Sequence, residues 1–163
     1  MKILLTTALL LLTSCASKHS IDVFHPHLFS QDIKFVEENL KCESKFLTDT
    51  YDTTNNEVFR CSADNSNIFF TIESNGNNSE DLKQAKVIWK QWRTDIGAKE
   101  SKVKAQQFIA VLAKLYAKDK EFELVDAFFN KQPAEFESHM YTVKTSADTK
   151  QFYTLRRAVV TFK

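Results

Sequence analysis

The sequence predicts an α+β domain in which an antiparallel four-stranded sheet, made of two hairpins, packs against three or four helices. Two stretches, near 58–74 and 135–162, are rich in β-branched and aromatic residues, and each is divided by polar turn residues. Before and between them, apolar residues recur at the three- and four-residue spacing of helices. This change between the strand and the helix pattern along the chain is typical of helices and strands that share one core.

The first helix is predicted to begin at Ser30, which suits the N-cap position and precedes Asp32 in the first turn. The first hairpin follows, with strands at 58–62 and 67–74 joined by a polar turn. Because side chains alternate along a strand, one face of the second strand should carry three apolar residues, Ile68, Phe70 and Ile72.

A second helix is predicted between Ser79, a suitable start, and Gly97, which suits a left-handed C-terminal cap. Five apolar residues repeat there in steps of three and four: Leu82, Ala85, Trp89, Trp92 and Ile96. A third helix is predicted from about 101 to 117. Residues 119–130 fit either a helix or a strand, and the helical alternative places three residues on one face: Phe122, Val125 and Phe129.

The second hairpin is predicted from strands at 135–145 and 151–162, with residues 146–150 as its loop. At the other end of the chain, residues 1–14 have the parts of a secretory signal peptide: Lys2, an apolar stretch to Leu12, and small residues. This stretch is shorter than the roughly 20 residues of a membrane-spanning helix. Residues 15–29 lack periodicity, so we expect a tether there and one domain at 30–163.

The run Leu12-Thr13-Ser14-Cys15 resembles the lipobox of bacterial lipoproteins. The resemblance implies that the mature chain begins at Cys15, which carries a diacylglycerol on sulfur and usually a third acyl chain on its amine. Two or more chains anchor a protein stably. Ala16 stands where an aspartate would mark the inner membrane, so the resemblance favours the outer membrane, with the protein facing the periplasm. The alternative is cleavage after Ala16 by the general signal peptidase.

Charge and cysteines narrow the classes of function. The chain has 22 basic and 21 acidic residues, and the signal peptide holds one Lys and no acid, so the mature net charge is zero. A nucleic-acid binder held by general charge would be basic. In an exported protein Cys42 and Cys61 form an even pair, which favours a disulfide worth about 3 kcal/mol. The alternative is two unpaired buried thiols.

No pattern of an enzyme or a metal site stands out. The chain lacks a G-x-S-x-G motif, and its only two glycines flank the predicted second helix. A carboxylate pair distant in sequence stays open. Three histidines, His19, His25 and His27, lie in the tether, where a flexible segment gives a metal no rigid geometry. His139 fits a surface or half-buried strand position. We expect no catalysis, no cofactor and no metal.

One candidate contact surface is a basic strip along the edge of the predicted second helix, formed by Lys83, Lys86, Lys90 and Arg93. It suits an acidic partner or anionic headgroups. The alternative is a solvated face whose lysine stems cover Trp89 and Trp92. Arg156 and Arg157 either extend the strip or occupy opposite faces of a strand. Phe128, Phe129 and the two tryptophans could be exposed anchors for a partner or an apolar ligand. The alternative is that they pack in the core.

These observations favour a lipid-anchored, non-enzymatic envelope protein that binds another protein, as an accessory, assembly or pilot subunit. It would meet the membrane through acylated Cys15. The first alternative is an inhibitor or immunity-type lipoprotein that neutralises a periplasmic enzyme. A further alternative is a carrier that encloses a lipid or another apolar ligand. The sequence leaves the oligomeric state open.

Overall fold

The structure is a computed structural model that describes residues 27–48, 56–93, 97–130 and 133–163. In this part of the chain, seven antiparallel strands form one sheet in the order β1-β2-β3-β4-β7-β6-β5. The elements are α1 (Phe29–Asn39), β1 (Glu43–Thr48), β2 (Glu57–Ala63), β3 (Ile68–Ser74), β4 (Leu82–Trp92), α2 (Ala98–Tyr116), a 3₁₀ turn (Lys118–Lys120), α3 (Glu121–Asn130), β5 (Ala134–Glu137), β6 (Tyr141–Thr149) and β7 (Tyr153–Phe162). The fold class is α+β, but the predicted four-stranded sheet is wrong.

The main correction concerns the predicted second helix, which is strand β4 at the centre of the sheet. β4 pairs with β3 on one side and with β7 on the other. Its buried residues Ala85, Val87 and Trp89 alternate with half-buried ones, which is the period of a strand. Four of the five apolar residues that repeat in steps of three and four lie in β4 and are divided between its two faces. The fifth, Ile96, lies outside the described residues. Gly97 is not a C-terminal cap; it precedes α2, with a φ of −89°.

The other helices lie close to their predicted positions. α1 buries Ile33 and Val36, although its N-cap is Leu28 rather than Ser30. The backbone N–H and the hydroxyl of Ser30 instead both donate to Oε2 of Glu80 at 2.9 Å. α2 covers the predicted third helix. None of the described helices has the length and apolar character needed to cross a membrane.

Residues 121–130 form a helix, which settles the alternative between helix and strand. The face of α3 that is buried differs from the predicted one, since it consists of Leu124, Ala127 and Phe128. Phe122 is 81% exposed. α3 packs against α2 and against β6 and β7 of the sheet. These contacts, and not the repeat of Phe122, Val125 and Phe129, determine which face of α3 is buried.

Both hairpins exist, and the first matches its prediction. Ile68, Phe70 and Ile72 are fully buried on one face of β3. The second is longer than expected, because β6 continues to Thr149 and the turn lies at residues 150–152. The segment near 135–145 is divided into β5 and the start of β6, which pair with each other.

The core lies between one face of the sheet and the three helices. Large side chains fill it, among them Phe59, Phe70, Trp89, Phe108 and Phe128. Cys42, just after α1, forms a disulfide with Cys61 in β2 at an S–S distance of 2.04 Å. The predicted disulfide is confirmed, and it ties the first helix to the first hairpin. The predicted signal peptide (residues 1–14), Cys15, His19 and His25 lie outside the described residues.

Candidate interaction surface

The sheet has one face that no described element covers. All three helices pack on the other face, as shown by Trp89 in β4, whose Nε1 donates to Ser101 Oγ of α2 at 3.1 Å. Buried and half-buried positions alternate along β4 and β7, so every second residue points away from the helices. We call this side of the sheet the open face. Its central residues are Arg60, Phe69, Thr71, Lys86, Ile88, Lys90, Leu155, Arg157 and Val159.

The centre of the open face is apolar. Phe69 on β3 lies opposite Ile88 on β4, and neighbouring pairs bring Val159 and Leu155 beside lysines of β4. These four side chains are half-buried although no helix covers them. The solvated face of an antiparallel sheet is usually polar. Apolar side chains on three adjacent strands of a face that no described element covers make this face a candidate interaction surface.

Cations without a carboxylate partner surround this apolar centre. Several acids of the same face already bind a lysine: Glu73 binds Lys83 at 2.8 Å and Glu135 binds Lys144 at 3.1 Å. Within the described ranges, five basic side chains of the open face form no ion pair: Lys45, Arg60, Lys86, Lys90 and Arg157. The net charge of the centre of the face is thus positive, in a chain whose 22 basic and 21 acidic residues nearly balance.

Two of these cations pack on aromatic rings. The guanidinium of Arg60 lies over the ring of Phe69, 4.5 Å from its centroid. Lys90 Nζ lies 4.2 Å from the ring of Trp92 and 4.6 Å from that of Tyr153. Trp92 Nε1 in turn donates to Asn67 Oδ1 at 2.9 Å. Cation–π contacts of this kind hold the charged end of each side chain against a ring of the open face.

The predicted basic strip is not assembled as the sequence analysis described it. Lys86 and Lys90 share the open face because they lie four residues apart on a strand. Lys83 lies at an irregularity of β4, beside Glu73, and Arg93 follows the end of the strand. Arg156 and Arg157 occupy opposite faces of β7, and Arg157 joins the open face.

Arg156 is buried on the helix side and has a structural role. Its Nη1 donates to the carbonyl oxygens of Phe128 and Phe129 at the end of α3. Nε and Nη2 donate to Gln91 Oε1 at 3.2 and 3.1 Å. A cation at a helix C-terminus is favourable. Desolvation lowers the pKa of Arg156, and the carbonyls take the place of the lost water.

A second polar cluster lies where the described chain begins. Nδ1 of His27 is 3.2 Å from Oδ2 of the buried Asp32, and the hydroxyl of Tyr116 donates to the same oxygen at 2.6 Å. The imidazole lies 4.9 Å from the ring of Tyr116 and 5.6 Å from that of Tyr141. Burial, and then Asp32, raise the pKa of Tyr116 well above its ordinary value. The cluster holds residue 27 on the domain.

The aromatic residues that the sequence analysis weighed as anchors divide between the two faces. Trp89 and Phe128 are buried in the core, and Phe129 packs on Trp89 with ring centroids 5.6 Å apart. Trp92 is 36% exposed, at the end of the open face. His139 is exposed on the turn between β5 and β6. No group of three or more His, Cys, Asp or Glu side chains within the described residues is placed to hold a metal.

Only part of this surface was predicted as strand: Phe69 and Arg157 lie in predicted strands, whereas Lys86 and Lys90 of β4 were assigned to a helix. Arg60 was not singled out, although it alternates with the buried Phe59 and Cys61. Comparison with known proteins adds no assignment: no family model matches the chain, and no curated protein or solved structure is similar to it.

Proposed function

We propose that this protein is a lipid-anchored, non-enzymatic envelope protein that binds another protein through the open face of its sheet. The observation that carries the proposal is the set of five unpaired cations around half-buried apolar side chains. A surface of this kind suits a partner with acidic and apolar residues, because complementary charge guides association and apolar contact stabilises the complex.

The anchor in this proposal comes from the sequence. Cys15 would carry the acyl chains, and Ala16 favours the outer membrane, on its periplasmic side. With the membrane contact supplied by lipid, the cations of the open face are available for a protein. We prefer this function to a carrier of an apolar ligand because large side chains, such as Trp89 and Phe108, fill the space between sheet and helices.

Affinity purification of the full-length chain from its own membranes tests the proposal. The test variant combines Lys86→Glu and Arg157→Glu on the open face. The matched control combines Lys104→Glu and Lys114→Glu, two exposed lysines of α2 on the opposite side of the sheet. Both variants change the charge equally, so a general effect of charge affects them alike.

We expect a stoichiometric partner with the wild type and the control, and its loss with the open-face variant. Thermal unfolding of the purified proteins shows whether both variants remain folded. Recovery of the same proteins with the wild type and both variants contradicts the proposal. A captured hydrolase whose activity falls on binding supports the inhibitor alternative instead of an assembly subunit.

A further inference from the structure

We propose that Arg60 is the position at which the open face binds a carboxylate of the partner protein. This inference rests on the proposed function and names the group that the partner supplies. Arg60 lies on β2, its guanidinium packed on Phe69 at 4.5 Å from the ring centroid. Its Nε is buried and has no hydrogen-bond acceptor among the described residues.

A buried N–H without an acceptor is costly, and native proteins rarely keep one without a reason. Arg156 shows what this chain does with an arginine that serves the fold, because its Nε, Nη1 and Nη2 all find acceptors. Arg60 differs in just this respect. Because Nε is shielded from solvent, a partner reaches only the end of the guanidinium formed by the two Nη groups, to which no described residue hydrogen-bonds. A carboxylate at this end accepts two parallel hydrogen bonds.

The neighbours of Arg60 in the sheet favour an anion at this place. Lys45 on β1 and Thr71 on β3 are its direct cross-strand partners, and Lys86 lies beside Thr71 on β4. This row across four strands thus holds three cations and no acid. Glu73, the acid that follows Thr71 on the same face of β3, is bound to Lys83.

A protein carboxylate suits the site better than a lipid phosphate does. Ile88 on β4 and Val159 on β7 share the face with the cations and are half-buried. Alternating acidic and apolar side chains on a partner strand or flat surface match both features together, whereas headgroups match only the charge. Phe69 also fixes the plane of the guanidinium, which favours the planar, bidentate geometry of a carboxylate.

A peptide with alternating Glu and Val residues, and an otherwise identical peptide with Gln for Glu, serve as probes. The full mature chain, labelled with ¹⁵N in a neutral detergent, shows the Nε–H signals of its arginines by NMR, and Arg60→Lys assigns that of Arg60. We expect the Glu peptide to shift the Arg60 signal and to leave that of Arg156 in place. Fluorescence polarisation with the labelled peptide gives the affinity.

We expect the affinity for the Glu peptide to fall about tenfold in Arg60→Gln and by a similar factor in Arg60→Lys, since lysine keeps the charge but lacks the fork. The control Lys104→Gln should bind as the wild type does. The Gln peptide should bind at least tenfold more weakly. Unfolding of Arg60→Gln in urea should show no loss of stability relative to the wild type, because the substitution removes an unsatisfied donor.

Failure of this inference is distinct from failure of the proposed function. If Lys86→Gln and Arg157→Gln weaken the peptide complex while Arg60→Gln does not, the open face binds acidic protein but Arg60 is not the contact. If none of these three substitutions weakens the peptide complex, or if the Glu peptide does not bind, both the proposed function of the open face and the Arg60 contact are wrong. If inorganic phosphate shifts the Arg60 signal and the Glu peptide does not, the ligand is a phosphate and the carboxylate assignment is overturned.

Discussion

Tyr116, at the end of α2, donates a hydrogen bond of 2.6 Å to the buried carboxyl group of Asp32 in the first turn of α1. A buried carboxyl group costs free energy unless it is hydrogen-bonded. His27 reaches the same oxygen from the start of the described chain. Asp32 of α1 is therefore linked both to α2, through Tyr116, and to His27, which precedes α1.

Loss of the Tyr116 hydroxyl should destabilise the protein without opening a cavity. We expect Tyr116→Phe to lower the free energy of unfolding by about 1–3 kcal/mol, because Asp32 then lacks one of its two hydrogen-bond partners. Unfolding in urea at pH 7 measures the change. Tyr153→Phe is the control; no described group hydrogen-bonds its hydroxyl, so the expected change is within about 0.5 kcal/mol. Equal effects of both substitutions contradict the role of Tyr116.

Tyr116 also predicts how stability depends on alkaline pH. Burial raises its pKa well above 10.0, and the carboxyl group of Asp32 raises it further. Above about pH 10 the unfolded chain releases this proton while the folded chain keeps it, so the unfolded state binds fewer protons. The contribution is present below pH 10 and is lost as the pH rises towards the folded pKa, by at most about 1.4 kcal/mol per pH unit.

Urea unfolding of the wild type and of Tyr116→Phe between pH 8 and pH 11 checks this sign. The wild type should lose stability more steeply above pH 10 than the variant, so that the difference between them narrows. Parallel curves for the two proteins over this range show that Tyr116 ionises alike in both states, contrary to the expectation.

The two consecutive arginines of β7 should respond oppositely to the same substitution. Arg156→Gln removes donors from the carbonyls of Phe128 and Phe129 and from Gln91, and we expect a loss of about 2–4 kcal/mol. Arg157→Gln changes only the open face and should leave the free energy of unfolding within about 0.5 kcal/mol. Urea unfolding of both variants measures the contrast. Similar stabilities for the two proteins mean that Arg156 does not hold the end of α3.

The local sequence pattern predicted the secondary structure correctly where clear turns bound an element. It failed where the neighbouring strands determine whether a segment forms a helix or a strand. The hairpin of β2 and β3 was predictable because a polar turn, at residues 64–67 in the structure, separates two apolar runs. β4 was not, since residues 82–92 satisfy both the helical and the strand period. Pairing with β3 and with β7, of which β7 is distant in sequence, decides between them. Tertiary context thus overrides weak local preference.

The missing strands explain why the candidate surface was only half predicted. β1 and β5 have six and four residues, too short to show a period. β1 and β5 are the two edges of the sheet, and β4 joins its two hairpins. Because β4 was predicted as a helix, the hairpins stayed unconnected and Lys86 and Lys90 were placed on that helix. That Lys86 and Lys90 lie on one face was predictable, because residues four apart share a face in a helix and also in a strand. The role of Arg60 was not, because it depends on which strands lie beside β2.

The disulfide between Cys42 and Cys61 should contribute measurably to stability. Their sequence separation is 19 residues, for which loop closure predicts about 3 kcal/mol. We expect the double variant Cys42→Ser, Cys61→Ala to lose about that much in urea unfolding. Reductant should lower the stability of the wild type and leave the double variant unchanged. A wild type that is insensitive to reductant contradicts the contribution.

Lipidation of Cys15 would remove it from the count of free cysteines. If Cys15 carries acyl chains, the mature protein has no free thiol beyond the Cys42–Cys61 pair. Intact-mass analysis should find a chain that starts at Cys15 with at least two acyl chains. Cys15→Ser should move the protein from the membrane fraction to the soluble fraction, and the Cys42 and Cys61 double variant, as the control, should stay in the membrane. An unacylated chain that starts at Ser17 contradicts the lipid anchor. Alkylation of the folded, unreduced protein does not distinguish the two cases, because neither leaves a free thiol.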